Sequence, residues 1–163
     1  MTSRLFNILL LFALFGIGMW FFGNLYEGIV IAPNMLNDTA TRMEHWQKFF
    51  VVTNPVFFYV PVPQLATVVL LILFFKSDKQ KPVLRHYLKL ASIFQVASLI
   101  LSVYIITQIN FKLFFGDLNK YSGQLSSLAL LWNALNVIRV LLVAAVLTFT
   151  FKAYLQTQKS GID

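Results

Sequence analysis

Four long apolar stretches alternate with short polar ones along the chain. They run from about Leu5 to Ala32, Pro55 to Phe75, Tyr87 to Ile109 and Ser126 to Phe151. A bilayer core of ~30 Å takes ~20 apolar residues in helical conformation, so each stretch predicts a membrane-spanning helix. The expected fold is all-α, an integral membrane four-helix bundle forming one domain over residues 1–163. Pro61 and Pro63 each remove a backbone donor, which predicts a kink or local unwinding near one end of the second span. The loop Asn34–Thr53 is polar. Its stretch Asp38–Phe50 places Met43, Trp46 and Phe50 at i, i+3, i+7, the pattern of a short amphipathic helix lying on the membrane surface. The other polar loop, Lys112–Gln124, is shorter.

Composition agrees with this pattern. Of the 163 residues 58% are hydrophobic and 12% charged, and the mean hydropathy is +0.73. A soluble domain carries about twice that charge. The net charge of +7 would ordinarily point to an anionic polymer, but here it sits in the loops between apolar runs, so no nucleic acid is expected. The positive-inside rule orients the chain. With the N-terminus cytoplasmic, the inner segments hold Arg4, Lys76, Lys79, Lys81, Arg85, Lys89, Lys152 and Lys159. The outer segments hold Arg42, Lys48, Lys112 and Lys120, and Arg139 lies within the fourth span. Eight against four places both termini in the cytoplasm, as a multi-pass protein of a bacterial inner (plasma) membrane. The apolar stretch Leu5–Phe22 exceeds the ~7–15 residues of a secretory signal core, and no small-x-small cleavage site follows it. It is read as a retained helix.

Two ionisable residues fall at membrane depth, where they are costly and are functional candidates by default. Glu27 lies in the outer third of the first span and Arg139 near the middle of the fourth. Residues i, i+4 and i+7 share a helix face. Trp20, Asn24 and Glu27 have that spacing, as do Trp132, Asn136 and Arg139. Two antiparallel helices therefore each present an aromatic ring, an amide and a charge along one stripe, with charges of opposite sign. At ~1.5 Å per residue, Glu27 lies roughly 8 Å below Pro33 and Arg139 roughly 20 Å below Ser126. The gap of about 10 Å, with about 5 Å of play in the span ends, allows a direct pair or one bridged by water or ligand.

Three readings of these charges stay open. The pair could line a polar pocket. It could hold the helices in register, since polar contacts between membrane helices are worth ~0.6–2 kcal/mol. Or Glu27 could reach the outer headgroups. Other polar groups could line the same interior: Gln95, Ser98 and Ser102 on the third span, and Gln64 and Thr67 on the second. Packing is the favoured account of these, since small and weakly polar residues are normal at contacts between membrane helices. Gly16 and Gly23 share the face of Glu27, where they permit close helix approach or leave room for a ligand. Asn110 stands at the outer mouth of the third span. No metal site is expected, because His45 and His86 fall on opposite sides of the bilayer and imidazole clusters are missing. The chain has no cysteine, no glycine-rich phosphate loop and no Gly-x-Ser-x-Gly elbow.

The chain resembles the anthrone-oxygenase-like membrane proteins. The resemblance rests on a glycine-rich first helix (Gly16, Gly18, Gly23) closed by Ile31-Ala32-Pro33-Asn34, a polar loop with Trp46, the segment Thr107-Gln108-Ile109-Asn110 followed by Phe114, and above all Trp132-x-x-x-Asn136-x-x-Arg139. It implies a cofactor-independent oxygenase-like enzyme acting on a hydrophobic phenolic substrate in a pocket around Arg139. Trp132, Asn136 and Arg139 would line that pocket and Asn110 its mouth. Helical spacing adds the rest of the candidate set. Glu27 would be the base, Arg139 the oxyanion donor, Asn136 and Asn24 would orient ring oxygens, and Trp20 and Trp132 would supply flat walls. Gln95 and Gln64 are further candidate substrate contacts. The partners expected are the lipid bilayer and a hydrophobic small molecule, with a homo-oligomer left open. The alternatives are a non-catalytic lipid- or quinone-binding accessory protein and a small proton-coupled transporter.

Overall fold

The computed structural model describes residues 2–159, the side chains of Val56 and Phe58 excepted; Met1 and 160–163 of the expected single domain lie outside the described residues. The described chain is all-helical. Helix α1 spans Ser3–Leu36, α2 Thr39–Phe49, α3 Pro55–Tyr59, α4 Pro61–Lys76, α5 Pro82–Leu113 and α6 Leu125–Lys159. A 3-10 turn over Asn119–Gln124 leads into α6.

Among the described residues three helices, α1, α5 and α6 with its leading turn, are long and apolar enough to cross a membrane. Helix α4 has 16 residues, about 24 Å at ~1.5 Å each, and falls short alone. The short helix α3 precedes it, and the break at Val60 comes where Pro61 and Pro63 withhold donors. In α4, the Thr67 hydroxyl donates to the Pro63 carbonyl at 2.8 Å.

Helix α1 packs against α4 and α6, and α5 packs against the same two. Gly16 makes the α1–α4 contact close: a Cβ there would stand 3.1 Å from that of Ala66. The interior has three layers, called inner toward the α4–α5 turn and outer toward the opposite end. An inner apolar layer gathers Leu10, Ala13, Ile17, Leu70, Leu88 and Val143, among others. An outer apolar layer is built around Ala32, Met35, Met43, Ile109, Ala129 and Trp132. Asn24 and Glu27, Gln95 and Ser98, and Asn136 and Arg139 fall between the two along α1, α5 and α6. The faces turned away from the core carry Phe15, Phe22, Ile100 and Leu141, all exposed.

Helix α2 departs from the expectation of an element lying on the bilayer. Its Met43 is buried in the outer apolar layer, and its Gln47 amide donates to the carbonyls of Leu113 (3.3 Å) and Gly116 (3.0 Å). The apolar stripe faces protein, and α2 caps the outer end. Asp38, with φ 57°, makes the turn between α1 and α2, a conformation Asp tolerates better than most residues. On the exposed side of α2, Lys48 donates to Glu44 at 2.5 Å. That hydrogen bond, with the lysine charge, holds the Glu44 carboxyl below its ordinary value.

Both α1 and α5 widen by one residue for a turn near the outer end. At Glu27–Ile31 the Ala32 amide donates five residues back to Glu27. At Ile106–Asn110 the Phe111 amide does the same to Ile106. Pro33 supplies a reason for the first, since its ring would collide with the carbonyl four residues back in a regular helix. Side chains satisfy carbonyls beside each turn. Asn34 donates to the Val30 carbonyl at 2.8 Å, and Thr107 to that of Val103 at 2.8 Å.

Candidate functional site

The polar layer opens into a cleft of about 590 Å³ beneath the α2 cap. Each widened turn contributes two residues to its wall, Glu27 and Ile31 from α1, and Ile106 and Asn110 from α5. Aromatic rings supply most of the remainder: Trp20, Trp46, Tyr59, Phe114, Phe115 and Trp132.

Arg139 is 4% exposed. Its Nη2 donates to Glu27 Oε2 at 2.8 Å and to Asn136 Oδ1 at 2.8 Å. Asn136 is fully buried, and its amide donates to the Asn24 backbone carbonyl at 3.2 Å. The guanidinium lies over the Trp20 ring, 5.3 Å from its centroid. A cation held this way is attracted by the ring face. The expected gap of about 10 Å is thus closed by direct contact. Two buried polar atoms of this network have no partner among the described residues, Arg139 Nε and Asn24 Oδ1. The Asn24 amide nitrogen is turned back to the Trp20 carbonyl at 2.6 Å.

Trp132 and Asn110 form a second contact in the wall. The indole N–H donates to Asn110 Oδ1 at 2.9 Å, which fixes the ring plane against the cleft. Phe114 packs edge-on against Trp132 at 6.0 Å and tilted against Trp46 at 5.3 Å. Gly23 allows Tyr59 to lie directly on α1, because a Cβ there would stand 2.6 Å from the ring.

The structure brings together Glu27, Arg139, Asn136, Asn24, Trp20, Trp132 and Asn110. It does not bring Gln95 or Gln64 to them. Gln95 donates to Thr67 at 2.7 Å and serves as a clamp between α5 and α4. Gln64 lines a separate, adjoining cavity. The reason lies in helix rotation: the stripe Gln95, Ser98, Ser102 faces α4 rather than the ion pair. Spacing within the sequence missed Tyr59 and Phe115 altogether, and it treated Trp46 as a surface residue. Only the glycine at position 23 hinted that a ring would lie there.

Among the described residues no three His, Asp or Glu side chains come together as metal ligands. What the cleft offers is an acid–base pair, a cation with an unused N–H, and aromatic walls. In a water-poor site such groups interact far more strongly than in water. They suit a flat apolar molecule that carries oxygen at one edge. Compared with models of known protein families, with curated proteins and with solved structures, the chain matches none.

Proposed function

We propose that this protein is a four-span membrane bundle with both termini cytoplasmic, which binds a hydrophobic phenolic molecule beside Arg139 and oxidises it with dioxygen without a cofactor. The observation that carries the reading is a Glu27–Arg139 pair at 2.8 Å in the wall of an aromatic cleft. The bilayer would deliver the molecule. In the plasma membrane of a bacterium, α3 and α4 in series would form the fourth crossing.

The chemistry follows from the groups. Arg139 occupies Oε2 of Glu27, leaving Oε1 to take a proton from an activated C–H of the substrate. The resulting carbanion spreads its charge onto the ring oxygen, and Arg139 stabilises that oxyanion. The anion passes an electron to dioxygen, and recombination gives a peroxide that recovers the proton from Glu27. Loss of water leaves a carbonyl where the CH2 stood. Asn136 holds the guanidinium in place, and Trp20 and Trp132 sandwich the ring. Such a reaction is of the anthrone-oxygenase type.

Native mass spectrometry of gently solubilised protein and oxygen uptake with an anthrone as substrate test the proposal together. Wild type should carry a discrete aromatic mass that Arg139→Gln lacks. Arg139→Gln should retain the helical fold and lose about 10²–10³-fold in turnover, the usual effect of removing one oxyanion donor. Retained turnover would sink the mechanism. The second reading, a non-catalytic quinone- or lipid-binding accessory protein, is favoured by the mutual satisfaction of Glu27 and Arg139, and it is the outcome if wild type binds an aromatic mass but consumes no oxygen. A proton-coupled transporter draws less support, since Arg139 already engages Glu27, the one carboxylate lining the cleft among the described residues.

A further inference from the structure

A second cavity of about 390 Å³ lies deeper between α4 and α5 and shares Trp20, Val60 and Ile106 with the outer cleft. The two adjoin, with Trp20, Val60 and Ile106 in the wall between them. Their walls differ. The outer compartment holds the ion pair, whereas the inner one is largely apolar, with Leu99 and Val103 among its lining. Its polar side chains are Gln64, Ser98 and Ser102. Ser98 is 1% exposed, lines the inner cavity, and its hydroxyl has no partner among the described residues. Ser102, also in that wall, turns its hydroxyl back to the Ser98 carbonyl at 2.8 Å, so it is satisfied. A buried hydroxyl without a partner costs about 1–3 kcal/mol, and a bound acceptor would remove that penalty.

We infer that the site is bipartite and that its ligand is an amphipathic phenol or quinol: the ring sits at Arg139, and an apolar arm passes Trp20 into the inner chamber, carrying an ether or carbonyl oxygen to Ser98. This rests on the reading of the outer cleft given above and adds the class of molecule. The depth sets the arm. From Ile106 at the junction to Ser98 is about 12 Å along α5 at ~1.5 Å per residue. An arm of that length gains little from the hydrophobic effect, because lipid tails are as apolar as the chamber. Its role is selection by length and by the hydroxyl. Gln64 and Val103, both exposed at the chamber's edge, mark where the arm meets lipid between α4 and α5, the side from which such a molecule would arrive.

Photolabelling of the full chain in lipid nanodiscs tests this. Three probes are used: a phenol whose octyl-length para arm carries an ether oxygen near its far end and a diazirine beyond it, its isomer with the diazirine on the ring, and an octyl diazirine lacking both the phenol and the ether. The chain-end probe should label Ser98 and Ser102, which at 1% and 4% exposure are closed to bulk lipid. The ring probe should label Tyr59 or Phe114. The hydrocarbon control should label only outward side chains such as Ile93 and Ile100, 52% and 66% exposed. The same ether-armed phenol without its diazirine should suppress the Ser98 label more effectively than phenol at equal membrane concentration. Ring labelling in the outer cleft with chain-end labelling only on lipid-facing residues would overturn the bipartite site and leave the proposed function standing. No outer-cleft labelling by the ring probe would overturn both.

Discussion

At the scale of single residues, Glu27 and Arg139 are not equivalent partners. The Arg139 side chain is 5% exposed and that of Glu27 24%. Removing Glu27 strands a buried cation, and breaking a buried pair from one side costs about 3–5 kcal/mol. Removing Arg139 leaves a carboxylate that is still partly exposed in the wall of the open cleft. That loss should resemble an ordinary polar contact between membrane helices, about 0.6–1.7 kcal/mol. Glu27→Ala is therefore expected to be markedly less stable than Arg139→Gln in reversible unfolding from mixed micelles. The double variant should be more stable than Glu27→Ala alone, a non-additivity expected of residues in direct contact. Additive losses would mean that the two charges do not depend on each other. Trp132→Phe is a milder case. It removes the 2.9 Å bond to Asn110 and should lower stability by about 1 kcal/mol while keeping the wall apolar. The stripes that carry these residues were legible in the sequence, because the spacing i, i+4, i+7 fixes a face whatever lies opposite. Direct contact was not legible. It depends on how far α1 and α6 slide past each other, and nothing local encodes that offset. Gln95 failed for a related reason. Membrane helices are apolar on most sides, so their sequence says little about which way a helix is rotated against its neighbours.

At the scale of elements, the two widened turns are the devices that build the cleft. A one-residue excess inside an α-helix shifts every later residue by about 100° relative to those before it. In α1 this lets Glu27 face the ion pair while Ala32 and Met35 still point into the outer apolar layer, where they are 0% and 1% exposed. Ile29 lies within that turn and is 66% exposed, so its side chain can be removed without opening the core. Deleting Ile29 should return the turn to regular helix, which keeps Met35 on the core but brings the Pro33 ring against the carbonyl four residues back. A proline in a regular helix interior costs about 3 kcal/mol, so the deletion should destabilise by about that amount, whereas Ile29→Ala should have little effect. The contrast, measured by thermal unfolding with helical content followed in parallel, separates loss of the turn from loss of the side chain. Equal effects would show that the turn is incidental. Pro33 was the available signal for this turn in the sequence. The α5 turn has no proline after it and could not have been anticipated. The break before α4 was anticipated, because two prolines so close together leave the helix short of donors.

At the scale of the whole molecule, the asymmetry of charge and the asymmetry of the cleft coincide. The turn between α4 and α5 and the helix ends beside it carry Lys76, Lys79, Lys81, Arg85 and Lys89. The opposite end carries the α2 cap, the cleft and a mixture of both signs. Basic residues resist translocation, so the α4–α5 turn should stay in the cytoplasm and the capped end should face outward. The chain has no cysteine, which makes single introduced thiols readable without background. Gly123 suits one thiol, because nothing stands within 4 Å of a Cβ placed there. Gln80, exposed in the α4–α5 turn, suits the other. Gly123→Cys should react with a membrane-impermeant maleimide in intact cells. Gln80→Cys should react only after the membrane is permeabilised. The reverse pattern would turn the cleft toward the cytoplasm, and the oxidised product would then be released inside. Reaction of both in intact cells would mean that an even number of segments crosses between them. Since α5 alone separates the two positions, double reactivity therefore contradicts the membrane-spanning assignment of α5 itself, and with it the four-span topology.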